Sequence, residues 1–426
     1  MLFLLALNAL AAPPCNPPNG DLYVEGEHFW VSWDAAVGDQ AEAEQVLLWA
    51  EEARATYLEL GWEVTDETIN VRIEESVGAG GGSCTTTTCP DGTIVPVISL
   101  YAGNPGDTSE NTTKHEVVHA FEYFLMGTYI DAVTSWAWFA EGTASWLTTH
   151  ADGDLLEWRL DVRDYIEVPW LGLHQTPLAY LDSVAGPFMY GTAILAQYIE
   201  DEHGMQTMQD LWEYGGTQTG TPIYFPDAIE GVGMEWEPFW QDYMAMMTVL
   251  DLPYGKDMTV GTFIEKHVGD LPADGSPRKL RQPQGLGLSI IHFKAKAGQE
   301  DRSLDVTFDG DPEVEWMAVL VRTKKTGPGG KVKEIVPFDL EDGSGDASLD
   351  AFDGANDAYL VVSPQSQDLD PHDYSWSAEL GGGPELVEPD EDKGCGCDSA
   401  GGSPAWFPML LLFAAGARRN RPRVSH

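Results

Sequence analysis

The chain has 426 residues, 69 acidic against 23 basic, for a formal net charge of −46 at neutral pH. A surface that negative repels nucleic acid and anionic lipid and argues against both as partners. The length and the 43% hydrophobic content suffice for two domains with substantial cores.

The first stretch, MLFLLALNALAA, is a short apolar run ending in Ala9-Leu10-Ala11, an A-x-A cleavage pattern, so residues 1–11 are expected to be a signal peptide. The five cysteines fit an exported chain. Cys84 and Cys89, in CTTTTC, are expected to close a small loop disulfide, and Cys15 is left over.

Residues 20–280 carry a mixed pattern. HFWVSWD (28–34) reads as a strand, and the run from Asp39 to Gly61 as a long amphipathic helix stopped by the glycine. INVRIEE turns Ile69, Val71 and Ile73 inward as a strand. A glycine-rich loop, Gly78 to Gly82, leads to the cysteine pair. TIVPVISLY then reads as a strand that Pro96 assigns to a sheet edge.

HEVVHAFEYF, His115 to Phe124, follows. On a helix, His115, Glu116 and His119 share one sector, with Val117, Phe121, Phe124 and Leu125 opposite. Two imidazoles one turn apart suit Zn²⁺, and Glu116 beside a water is a candidate general base. Thr113-x-x-Glu116 also fits a capping box, which would leave Glu116 a helix-start device. The HExxHxxGxxH continuation fails, because Glu122 and Leu125 occupy its last two positions. The third ligand is therefore expected on a later helix. In WAWFAEGTASW, Glu141 lies among Phe139, Ala140, Gly142 and Ala144, where an unpaired carboxylate is costly and a zinc ion would supply its partner. Asp131 is the fallback.

HEVVH and a downstream WFAEGTASW, with 21 residues between His119 and Glu141, resemble the gluzincin pattern of HExxH and a downstream W-x-x-E-G-x-A, shared by M1 aminopeptidase-like, thermolysin-like and related bacterial metalloproteases. The resemblance covers roughly residues 20 to 250 and is strongest from 113 to 204. It implies a zincin-like catalytic domain, a small β-sheet plus a helical subdomain, with His115, His119 and Glu141 as Zn²⁺ ligands and Glu116 as base. It also extends to FMYGTAILAQYIEDEHG, where Tyr190 stands at the position such enzymes use to stabilise an oxyanion. Two departures matter. The spacing from His119 to Glu141 is a few residues longer than in the M1 enzymes. The Gly-x-Met-Glu-Asn motif that holds a substrate amine is absent upstream, so endopeptidase action is expected rather than aminopeptidase action.

From about Ala132 to His267 the pattern is helical and rich in Trp, Tyr and Met, with Trp136, Trp138 and Trp146 read as packing residues. His150 and His174 are possible cleft residues, and His203 reads as a helix C-terminal charge. After a Pro/Gly-rich joint, PADGSPRKLRQPQG, short alternating runs such as SLDVTFDG, WMAVLVRT and YSWSAEL predict a β-sandwich over 285–381. The turn DGSGDASLDAFDGAND reads as a solvated loop; its acids suit Ca²⁺ but lack EF-hand spacing. The fold class expected is thus α+β, a zincin-like domain followed by a C-terminal sandwich.

Residues 382–394 form an acidic linker, and 395–426 carry Cys395-Gly396-Cys397, the apolar AWFPMLLLFAAGA and four arginines. About 13 apolar helical residues reach roughly 20 Å, short of a ~30 Å hydrocarbon core. This tail resembles the myxobacterial C-terminal sorting signal, which implies export, processing near the cysteines, outer-surface display and contact with the membrane or sorting machinery. The expectation is a secreted, surface-displayed zinc metallopeptidase acting on a peptide or protein substrate. The competing expectation is a catalytically silent adhesion protein that uses the same scaffold and the sandwich for binding.

Overall fold

The computed structural model describes residues 22–382 except 64, 76–80, 91, 103–105, 107, 127–135, 175–187, 219–221, 295–301, 351 and 353–356. They all belong to one unit. The expected signal peptide, all but the first residue of the acidic linker, the C-terminal segment, Cys15 and Asp131 lie outside the described residues.

Strands β1 (Tyr23–Glu25) and β2 (Phe29–Trp33) pair antiparallel before helix α1 (Gln40–Glu59). The Asp39 side chain accepts a hydrogen bond from the Glu42 amide at 2.9 Å, an N-cap worth about 1 kcal/mol. The helix ends just before Gly61, whose φ of +83° favours glycine. Its crossover makes β3 (Ile69–Glu75) parallel to β2, with Ile69, Val71 and Ile73 buried as their alternation predicts. β4 (Gly81–Thr88) and β5 (Ile94–Ala102) complete a sheet of order β1-β2-β3-β5-β4.

Three features differ from what the sequence predicts. The glycine-rich loop gives way to a strand at Gly81, because the following Ser and Thr residues favour an extended backbone. Pro96 is not on an edge strand, since β5 lies between β3 and β4. It is tolerated because the ladder to β3 begins only at Val97, so its missing N–H costs no bond there. Cys84 and Cys89 do not pair: Cys84 is a free buried thiol, while Cys89 is disulfide-bonded elsewhere. Five residues of extended chain hold their Cα atoms roughly 16 Å apart, beyond the reach of a disulfide.

Helices α2 (Glu110–Met126), α3 (Ala137–Asp152), α4 (Leu156–Ile166), α5 (Phe188–Gly191), α6 (Ala193–His203), α7 (Met205–Thr217), α8 (Phe225–Gly231) and α9 (Trp236–Val249) follow. Trp136, Trp138 and Trp146 are buried, as expected of packing residues, and share a core with Trp158, Trp212 and Trp240. The expected two-faced character of α2 is only partial. Val117, Val118, Ala120 and Phe121 are buried on several sides, while Phe124 is exposed, because α1, α3, α7 and the sheet surround the helix.

The remaining strands are β6 (Lys266–Val268), β7 (Ala273–Gly275), β8 (Ser289–Lys294), β9 (Ser303–Gly310), β10 (Trp316–Thr323), β11 (Val332–Pro337), β12 (Ser344–Leu349), β13 (Asp357–Pro364) and β14 (Tyr374–Gly381). They form two sheets, β11-β10-β13-β8-β6 and β12-β9-β14-β7. Alternate residues of both enclose one core, including Phe293, Phe308, Leu320, Leu360 and Trp376. β12 lies in the acidic stretch read as a solvated loop, and β7 lies within the expected Pro/Gly-rich joint. The outer face of the five-stranded sheet is also buried, against α9: Trp240 Nε1 donates to Ser363 Oγ at 3.1 Å, and Val319, Val321 and Val361 join the helical core. Burial on both faces explains why β10 and β13 read as nearly continuous apolar runs. The whole is a mixed arrangement of helices and three sheets, consistent with α+β.

Candidate metal centre

Helix α2 enters under Ser109, whose hydroxyl accepts from the Thr112 amide at 3.1 Å. Thr113 and Glu116 therefore lie inside the helix, and Glu116 is free of the capping role that its spacing from Thr113 suggested. One turn apart on α2, His115 and His119 bring their Nε2 atoms to 3.1 Å. Their rings stand nearly perpendicular, at 86°.

The chain places Glu141 against them by packing α2 on α3. Buried Lys114 ties the start of α2 to the end of α3, through Glu110, Asp152 at 3.0 Å and the Ala151 carbonyl at 3.1 Å. Gly142 lets α6 press close, since a Cβ there would stand 2.9 Å from the Thr192 backbone carbon. Glu141 Oε2 consequently lies 3.0 Å from His115 Nε2 and 3.6 Å from His119 Nε2. Tetrahedral zinc ligands at about 2.0–2.1 Å stand roughly 3.3 Å apart, so two imidazole nitrogens and a carboxylate oxygen at these separations fit that ion. His115, His119 and Glu141 are the one such group of three among the described residues.

Glu122 was not legible as a functional residue, only as a departure from another pattern. It is fully buried, and its Oε2 lies 2.7 Å from His119 Nδ1, on the ring edge away from Glu141. In the neutral ring that bond fixes the tautomer that leaves Nε2 a lone pair for a metal. A glutamate three residues after a ligand histidine on one helix is the signal that could have found it. Burial pushes the Glu122 carboxyl up to about 7, although His119 opposes the shift. Burial alone would lower His119; Glu122 and Glu141 more than reverse it and hold the imidazolium well above its ordinary range. Glu141 is raised by burial, but hydrogen bonds to His115 and His119 outweigh it and keep the carboxylate strongly ionised.

Glu116 is buried, and its Oε2 has no hydrogen-bond partner among the described residues. Burial raises its carboxyl, against the two histidines, toward the range of a general base. The backbone of β4 holds it in place: a Cβ on Gly82 would stand 2.5 Å from Glu116 Cγ and Oε1. Tyr190 lies beside His115, ring centroids 5.8 Å apart. All five expected site residues thus line one cavity of about 530 Å³, with β4 along one wall and Asp161 on another. Asp161 is pushed by burial up to about 7, against His115 and a hydrogen bond to Ser145. His150 and His174 do not line it; His150 bonds Glu200 at 3.0 Å, and His174 packs against Trp138. His203 ends α6 as expected, but burial lowers its pKa, which disfavours the expected charge.

No protein-family model matches the sequence, and no curated protein matches it. Among solved structures, the crystal structure of a Yersinia pseudotuberculosis-derived mitogen aligns with 29% of this chain and 94% of its own, at 15% identity and a TM-score of 0.19. No common fold follows from a score that low. Among the described residues, no helix is long and apolar enough to cross a membrane.

Proposed function

We propose that the protein is a zinc-dependent peptidase of gluzincin type, cleaving within peptide or protein chains. The observation that carries this reading is the convergence of His115, His119 and Glu141 beside a buried Glu116 carboxylate oxygen that has no partner among the described residues. When bound by these three residues, zinc supplies Lewis acidity that acidifies a water and polarises a carbonyl. Glu116 takes the proton of the attacking water through Oε2 and returns it to the leaving amine. Tyr190 is assigned to the developing oxyanion, and Glu122 holds the His119 ring in register.

A peptide substrate is favoured by the cavity wall. β4 is an edge strand with no neighbour on its outer side among the described residues, and Gly81 to Cys84 face the cavity. An extended peptide satisfies such an edge by adding as a further strand, which brings its carbonyls past Glu116. The terminal segments extend the proposal to an exported protein displayed at the cell surface.

The deciding experiment measures zinc content and hydrolysis of a fluorogenic peptide mixture by the purified full chain and its Glu116→Gln variant. Zinc at one equivalent or more in both, with turnover only in the unsubstituted protein, is expected. Absence of zinc, or proteolysis that survives Glu116→Gln, overturns the reading. Zinc without turnover in either protein would instead favour the silent adhesion scaffold.

A further inference from the structure

A second pair of histidines stands outside the centre just described. His267 on β6 and His292 on β8 are directly opposed in the parallel ladder, so sheet register brings them together. Their Nδ1 atoms are 2.9 Å apart, their ring centroids 5.1 Å apart and their planes at 88°. The pair on α2 has its Nε2 atoms 3.1 Å apart, its ring centroids 4.7 Å apart and its planes at 86°.

Behind the second pair, Asp357 Oδ1 lies 2.9 Å from His292 Nε2. The carboxylate accepts that N–H, which leaves the His292 Nδ1 lone pair directed at His267. His292 is buried and stacked on Tyr359, and so is fixed, whereas His267 is exposed and free to adjust. Both line a cavity of about 520 Å³.

We propose that His267 and His292 form a second transition-metal site, taking a borderline divalent ion such as Zn²⁺ through their two Nδ1 atoms. Two imidazoles without a convergent carboxylate select such an ion over Ca²⁺ or Mg²⁺, which require oxygen ligands. Binding moves the His267 proton from Nδ1 to Nε2, so both rings stay neutral and no net proton is released. The nitrogens need to part only from 2.9 Å to roughly 3.3 Å, a shift that exposed His267 can supply. The remaining coordination positions open to the cavity, leaving room for water or a donor group from another molecule. Asp357 acts as a positioning residue.

The test strips the full chain of metal and measures Zn²⁺ stoichiometry by equilibrium dialysis, with Cu²⁺ paramagnetic resonance reporting nitrogen ligands. The unsubstituted protein should take two equivalents, and His115→Ala/His119→Ala one. Adding His267→Gln to that double variant should leave none, with the thermal unfolding curve unchanged. Asp357→Asn in the same background should weaken Zn²⁺ binding about 10- to 100-fold while preserving the Cu²⁺ nitrogen signature. No zinc in the double variant, or an equivalent that persists after His267→Gln, overturns the site and leaves the pair a hydrogen-bonded strut. Neither readout uses peptidase activity.

Discussion

The two histidine pairs reach nearly the same geometry by different routes. On α2 the helical period sets His115 and His119 one turn apart; in the sandwich, strand register sets His267 opposite His292. Each has a carboxylate on the far nitrogen of one ring, Glu122 in the first and Asp357 in the second. The difference lies in what surrounds them. Among the described residues, only the first has a third convergent donor, Glu141, and a buried acid with an unpartnered oxygen, Glu116. Two imidazoles with an orienting carboxylate make a binding site; the added ligand and base make chemistry available.

The sharpest way to break this contrast is Glu116→Gln. Turnover should fall about 10²- to 10⁴-fold with zinc content unchanged, measured as kcat on a fluorogenic peptide beside metal analysis. A parallel loss of zinc would mean that Glu116 belongs to the ligand set instead. Gly82→Ala should act on the same base from the opposite wall. The new Cβ meets the Glu116 carboxylate at 2.5 Å, and a displacement near 1 Å lowers kcat about 10²-fold at constant zinc. The second pair has no residue in this role, so neither substitution should change its metal affinity.

Glu122→Gln and Asp357→Asn sharpen the resemblance between the pairs. Each should weaken Zn²⁺ about 10- to 100-fold at its own site and leave the other unchanged, as competitive chelator titrations would show. If only Glu122→Gln acts, the likeness is geometric and not functional.

The unequal legibility of the two pairs has a physical cause. Residues four apart on a helix always meet, so HEVVH carries its geometry in its spacing. The Glu141 position was also readable, because a carboxylate among Phe139, Ala140 and Gly142 needs a partner. His267 and His292 are 25 residues apart and meet only because β6 pairs with β8, a register that no local pattern encodes. β6 and β7 span three residues each, too few to show alternation, and β12 is hidden in an acidic run. Pro96 misled for the same reason: its tolerance depends on where the neighbouring ladder starts, which is a tertiary fact.

Asp161 offers the smallest expected effect and a different kind of contrast, since the second cavity has no acid among the described residues of its lining. Burial raises the Asp161 carboxyl from its ordinary 3.8 to about 7. A carboxyl whose folded pKa lies above its unfolded pKa binds its proton more tightly in the folded state. Stability therefore falls as pH rises from about 4 through 7, and the loss is complete above that. Asp161→Asn cannot ionise, so in chelator-stripped protein it should match the unsubstituted chain near pH 4. At pH 8 it should exceed it by on the order of 1–2 kcal/mol, a figure reduced for partial solvent access. Urea unfolding at the two pH values measures the difference. Zinc should shrink the gain, because a cation beside His115 favours the ionised aspartate. A gain equal at both pH values would mean that the substitution acts through packing, and that the acidic wall does not sense charge in the centre.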